Sequence, residues 1–260
     1  MSSKVIILYD IPGNAAKAWS PNVWKARYVL NYKGLPYKTE WVEYPDIADV
    51  CKRVGAEPTA IRRDGTPYYT APILYDPLTN SYVSDSLNIA LHLERAYPDT
   101  RRLFPPGTEA TMSMFHDALR DKVLRHILPL MMEHTHAQLN PRSAVYFRRT
   151  REAMFKAKFE DLAPQAKQEQ MWKKVRTGLG VFDGYMEVNG EGSIFFMGDG
   201  VTYADVILAG WLCWVRNLWG KDGKEWKEIV RWHGGRWGRI MTEFEKWEQV
   251  EGTETPKARL

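Results

Sequence analysis

Residues 4–10 read KVIILYD, and after a loop carrying Pro12 and Gly13 the chain continues Ser20-Pro21-Asn22-Val23-Trp24-Lys25-Ala26-Arg27. The first run is short and rich in β-branched residues, as in a strand covered on both faces. In the second, Val23, Ala26, Tyr28, Val29 and Leu30 recur at helical spacing. Residues 22–32 are therefore predicted as a helix, stopped by Gly34. Strand, loop and helix in this order open an α/β unit.

The pattern continues outward from that start. Residues 37–44 (YKTEWVEY) have strand composition, 45–54 suit a short helix, and 57–68 form a loop region punctuated by Pro and Gly. Residues 71–76 and 80–83 flank a Pro-Leu-Thr turn and read as a β-hairpin. Residues 84–96 (SDSLNIALHLERA) are strongly helical and stop at Tyr97-Pro98. The order β-α-β-(α)-β-β-α predicts a mixed sheet in an α/β domain over 1–98. Residues 99–108, with two arginines and two adjacent prolines, read as a linker. Beyond them strand patterns almost vanish: 109–138, 144–188 and 203–218 are helical by periodicity, and further helix is expected within 224–250. A helical second domain is thus expected over 109–260. No internal repeat or low-complexity tract is found.

The chain has 260 residues, 44% of them hydrophobic and 26% charged, which excludes collagen-like and largely disordered classes. Its 11 tryptophans are unusually many, and the extra rings are expected to line a core, an interface or a ligand cavity. The net charge of +4 is unevenly distributed. Residues 1–100 carry 11 basic and 11 acidic side chains, 101–180 carry 15 and 8, and 181–260 carry 10 and 13. The basic residues lie among acids at helical spacing, which argues against nucleic acid as a partner. Cys51 and Cys213 stand alone, without metal or framework spacing, and fit a reducing cytoplasm. No apolar run has the length of a signal peptide or a membrane span.

Three features carry chemistry. Ser20-Pro21 is a common helix start, with Ser at the N-cap and Pro at the first position. Directly after the first strand, the same start can hold an anion. A serine hydroxyl there can hydrogen-bond a bound thiolate, with Asn22 as an alternative donor. In Thr70-Ala71-Pro72-Ile73, a proline opening a strand marks an edge or a strand start. A cis Ala71-Pro72 bond would instead turn the Ala71 backbone toward a peptide ligand. In Ser84-Asp85-Ser86, Ser84 is the expected cap and Asp85 suits the helix dipole. Alternatively, Ser86 with its neighbouring N–H groups takes a carboxylate while Asp85 faces an amine.

Taken in this order, the three features resemble the thioredoxin-like N-terminal domain of the cytosolic glutathione transferases. That family has a catalytic Ser, Tyr or Cys at the start of the first helix, a cis-proline before the third strand, and an acidic residue followed by Ser opening the third helix. The stretch GDGVTYADVIL (198–208), with Thr202 and Asp205 in a capping-box arrangement, resembles the start of the central helix of the family's C-terminal domain. The wording S-P-N-V-W-K-A-R is most similar to a fungal-specific class related to bacterial glutathione-dependent β-aryl etherases. The resemblance implies a thioredoxin-like domain with a mixed four-stranded sheet followed by an all-helical domain forming the second-substrate pocket. It implies a cytoplasmic homodimer active in detoxification, with glutathione as co-substrate and no membrane partner. Ser20 would be catalytic; Ser20, Ala71, Pro72, Asp85 and Ser86 would bind glutathione; and Arg62 and Arg63 are candidates for its glycine carboxylate.

The expected reaction is attack of the glutathione thiolate on an apolar aromatic electrophile, with cleavage of aryl ethers as a narrower option. A non-catalytic carrier of aromatic small molecules, of the ligandin type, is the alternative. His134 and His136 are two residues apart and point away from each other on a helix, so no metal site is expected. Trp211, Trp214 and Leu218 form a core-facing stripe, and some of these rings, like Trp19, are candidates to wall an aromatic pocket. Residues 148–151 (RRTR) read as a solvated helix face.

Overall fold

The computed structural model describes residues 5–14, 18–190 and 192–250. The chain opens with β1 (Ile6–Asp10), α1 (Pro21–Lys33) and β2 (Tyr37–Trp41). A 3-10 turn (Tyr44–Asp46) leads into α2 (Ile47–Val54), and a two-stranded ribbon, β3 (Ala60–Ile61) with β4 (Pro67–Tyr68), follows. The hairpin β5 (Ile73–Asp76) and β6 (Ser81–Ser84) then delivers the chain to α3 (Ser86–Ala96). The main sheet has the order β2-β1-β5-β6. β1 runs parallel to β2 and antiparallel to β5, so the sheet is mixed, as expected. Lys4, placed in the first strand by its sequence, lies outside the described residues.

Residues 57–68, expected as loop, contain the ribbon: Ala60 faces Tyr68 and Ile61 faces Pro67 across an Asp64-Gly65 turn. Two-residue strands are too short to leave an alternating pattern. β2 is also shorter than residues 37–44 suggest: it ends at Trp41, and Tyr44 opens a 3-10 turn whose first positions accommodate Pro45.

α1 ends where Gly34 adopts φ 69°, a left-handed cap that a side chain resists. Its Arg27 reaches Asp10 at the end of β1, a fully buried pair at 2.7 Å. Removing the Asp10 carboxylate from water raises its pKa to about 6, although the guanidinium pulls the other way. The pair ties α1 to the end of β1.

The helical part comprises α4 (Glu109–Leu119), a π-helical turn (Arg120–Leu124), α5 (Arg125–Ala137), α6 (Pro141–Phe155), α7 (Phe159–Leu162), α8 (Gln165–Glu187), α9 (Tyr203–Trp219), α10 (Lys224–Ile229) and α11 (Trp232–Phe244). Residues 144–188, read as one helical stretch, are three helices. Lys156 turns left-handed (φ 54°) and Pro164 cannot continue a helix, so the chain breaks at both. The π-helical turn pushes the Lys122 carbonyl toward α8, where a Cβ at Gly178 would stand 2.0 Å from its oxygen. Only glycine fits there.

α9 is the buried axle between the two parts. Its start is tied by Asp205, whose carboxylate takes the Thr202 N–H at 2.9 Å and the Thr202 hydroxyl at 2.8 Å. α1 packs along it. The segment after α11 then crosses back over the N-terminal part: Asn31 Nδ2 donates to the Trp247 and Gln249 carbonyls, and the Tyr37 hydroxyl to that of Gln249 at 2.8 Å.

Candidate active site

Ser20 precedes α1 in an extended conformation (φ −63°, ψ 122°) and its side chain does not cap the helix. Its carbonyl accepts the Trp24 N–H at 2.9 Å, while its hydroxyl has no hydrogen-bond partner among the described residues. Pro21 has no N–H, so the first donors at the positive end of the helix are the backbone N–H groups of Asn22 and Val23. The Asn22 amide is likewise uncommitted among the described residues. Ser20 is 5% exposed, and it lines a cavity of about 230 Å³ together with Asn22 and Ala71.

The Ala71-Pro72 peptide is cis. Ladder bonding begins at Ile73, so the Ala71 N–H and C=O make no hydrogen bond within the described residues and remain available to an extended ligand. Because Ile73 pairs with Ser84, the next residues outward are Pro72 and Asp85. The Asp85 N–H donates to the Pro72 carbonyl at 3.3 Å.

Asp85, not Ser84, is the cap of α3. Pairing in β6 holds Ser84 as a strand residue, and Asp85 Oδ1 accepts the N–H groups of Leu87 at 2.8 Å and Asn88 at 3.2 Å. Asp85 sits at φ 77°, ψ 137°, a region costly for a side-chain-bearing residue. Its other oxygen accepts no hydrogen bond among the described residues. Ser86 is buried beside the Tyr203 hydroxyl of α9, so the helical part closes this corner from behind. Lys25 lies nearby on α1. Burial lowers its pKa to about 8 against the attraction of Asp85, and its ammonium stands 5.9 Å from the Trp211 ring.

The structure therefore gathers Ser20, Asn22 and Ala71 at one cavity, with Pro72, Asp85 and Ser86 contiguous through the Pro72–Asp85 bond. Arg62 and Arg63 are not part of it. They are exposed at the tip of the β3–β4 ribbon, where Arg62 lies 4.6 Å over the Tyr68 ring. A different cation is present: Arg151 of α6, from a run its sequence assigns to a solvated face, lines the cavity. Its spacing of four from the buried Phe147 is the signal that places it on the inner face of α6.

The remaining aromatic candidates divide. Trp19 is 2% exposed and packs behind Tyr44 at 6.2 Å, off the cavity wall. Tyr44 and Tyr146 stack at 6.0 Å and do line it. Trp211 and Trp214, both on α9, meet edge to face. His134 turns to Trp219 and His136 to Phe159. Burial pushes the Cys51 thiol up to about 11 and the Cys213 thiol up to about 12, so neither is a ready nucleophile. Among the described residues no helix is long and apolar enough to cross a membrane.

Residues 16–101 match the family model of the glutathione S-transferase N-terminal domain, and residues 110–247 that of the C-terminal domain. The glutathione S-transferase-like protein ustS of Aspergillus flavus is 30% identical over 259 residues, covering 95% of this chain and 91% of that protein. The glutathione S-transferase CsGST63524 of Ceriporiopsis subvermispora, solved in complex with glutathione, is 49% identical with a TM-score of 0.92. That match covers 96% of this chain and all (100%) of the other. Glutathione transferase GSTFuA3 of Phanerochaete chrysosporium is 44% identical with a TM-score of 0.91, covering 95% and 99%.

Proposed function

This chain belongs to the glutathione S-transferase family, and on that footing we propose that it joins glutathione to an aromatic electrophile using Ser20 as the partner of the thiolate. One observation carries the reading: the uncapped Ser20 hydroxyl and the unpaired Ala71 backbone face a single cavity. The tripeptide's γ-glutamyl end would lie at Ser86 and the free oxygen of Asp85, its cysteinyl backbone against Ala71 and Pro72, and its sulfur at the start of α1.

A free thiol ionises near pH 8.5, and a hydroxyl donor together with the positive end of α1 lowers that value. The sulfur lone pair forms a bond to the electrophilic carbon. The leaving group departs with the electrons of its own bond, and the thiol proton passes to solvent. The protein supplies activation and positioning. An aryl ether is a substrate of the same kind, with a phenolate as leaving group, and a homodimer in a reducing cytoplasm completes the proposal.

Isothermal calorimetry with glutathione and a conjugation assay with chlorodinitrobenzene test it together. Micromolar-to-millimolar binding with glutathione-dependent turnover is expected. Absence of both would remove the function.

A further inference from the structure

Among the described residues, Arg151 is the sole charged side chain lining the Ser20 cavity. Its guanidinium lies 4.9 Å over the Phe147 ring and 5.7 Å over the Tyr44 ring, and its Nη1 donates to the neighbouring Thr150 hydroxyl at 3.3 Å. Two other arginines of α6 are neutralised, Arg148 by Glu152 and Glu160 and Arg142 by Asp46, while Arg149 is exposed to solvent over the Tyr146 ring. Arg151 takes part in no ion pair among the described residues, although it is half-buried. A guanidinium withdrawn from water among phenol and phenyl rings is left with an uncompensated charge. Its planar fork fits one carboxylate with two parallel bonds.

Resting on the reading that glutathione occupies the Ser20 side of this cavity, we infer that Arg151 selects second substrates that carry a carboxylate on an aromatic ring. The rings grouped around the guanidinium decide between two sources of such an anion. Tyr44 and Tyr146, stacked with an interplanar angle of 17°, offer a flat apolar wall. An aromatic acid uses both the wall and the charge, whereas the glycine end of glutathione would use only the charge. The carboxylate would pair with Arg151, leaving the substituted ring carbon facing the sulfur at Ser20.

Binding without glutathione, where no conjugation takes place, tests this apart from catalysis. A chloronitrobenzoate and its methyl ester are titrated by tryptophan fluorescence into the wild type, Arg151→Met and Arg151→Lys, with glutathione affinity measured separately by calorimetry. The wild type should bind the acid at least about tenfold more tightly than the ester, the size of one charge-assisted bidentate contact. Arg151→Met should erase that preference, Arg151→Lys should recover part of it, and glutathione affinity should not change. Equal affinities for acid and ester in the wild type would overturn the inference. So would a loss in Arg151→Met that falls on glutathione alone, which would assign the guanidinium to the glycine carboxylate. Failure of conjugation with the acid preference intact would instead count against the proposed reaction.

Discussion

Gly210 of α9 lies so close to the first turn of α1 that a Cβ there would stand 2.9 Å from the Pro21 carbonyl oxygen and 2.8 Å from Lys25 Cγ. The lysine stem can yield; the backbone carbonyl cannot without moving the helix. Because Pro21 adjoins Ser20, this contact sets where the Ser20 hydroxyl stands. Gly210→Ala should lower stability by about 1–3 kcal/mol through overpacking and reduce kcat through the displaced start of α1. Thermal melting and steady-state kinetics check both. A variant with unchanged kcat would show that the contact does not govern the site.

Ser20 and Asn22 face the same cavity, and the choice between them is kinetic. Ser20→Ala should leave glutathione affinity nearly unchanged while raising the pKa of the bound thiol and cutting kcat by about 10- to 100-fold, the effect of losing one donor to a developing or bound anion. Asn22→Ala should do less. The ultraviolet absorbance of the thiolate as a function of pH reads the difference directly, and the reverse ranking would make Asn22 the partner.

Asp85→Asn separates the charge of this residue from its cap. Asparagine can still accept the Leu87 and Asn88 N–H groups and tolerates positive φ, so α3 should form normally. The lost negative charge should raise the KM for glutathione about tenfold, the difference between a charged and a neutral hydrogen bond to an ammonium. Unchanged KM would remove Asp85 from the γ-glutamyl subsite.

Lys25 gives a pH dependence with a definite sign. Its pKa falls from 10.5 to about 8 because burial penalises the ammonium. Below pH 8 both folded and unfolded chains are protonated there, and burying the charge costs up to about 3 kcal/mol. Between about pH 8 and 10.5 the unfolded chain holds the proton more often, so the wild type gains stability as pH rises. Lys25→Met should therefore be the more stable protein at pH 7, and its advantage should shrink over that interval. Urea denaturation of both proteins from pH 7 to 10 measures it; an advantage independent of pH would refute the titration.

Arg216 of α9 is 6% exposed and meets Glu248 at 2.7 Å, and the Tyr28 hydroxyl donates to the other carboxylate oxygen at 3.0 Å. Glu248→Gln keeps the hydrogen-bonding shape but leaves the buried guanidinium only the longer contact to Glu245, at 3.9 Å, as an ion pair among the described residues. A loss of about 2 kcal/mol is expected, read as a lower urea midpoint at unchanged slope.

Much of the fold is legible in the amino-acid sequence, for a local reason in each case. The strand at residues 6–10 announces itself by a β-branched run, α1 by its Ser-Pro start and Gly34 stop, and α9 by the Thr202–Asp205 pair. The errors are local too. Ribbon strands of two residues are too short to show a period, and the cap of α3 moves from Ser84 to Asp85 because a pairing partner, Ile73, claims Ser84 for the sheet. Arg151 is misread because a run of charges looks solvated until the opposite face of its helix is known.

The order of residues along the chain is enough to specify most of the strands and helices, how they follow one another, and the three stretches around Ser20, Ala71 and Asp85 that are proposed to carry the chemistry. Caps, turns and hydrophobic period act over a few residues, so a linear text can hold them. Packing alone brings Ser20 and Ala71 to one cavity, leaves Arg62 and Arg63 away from it, and admits Arg151 from α6. Those facts depend on contacts between groups far apart in the chain, such as Gly210 against Pro21. No local pattern of residues encodes such distances.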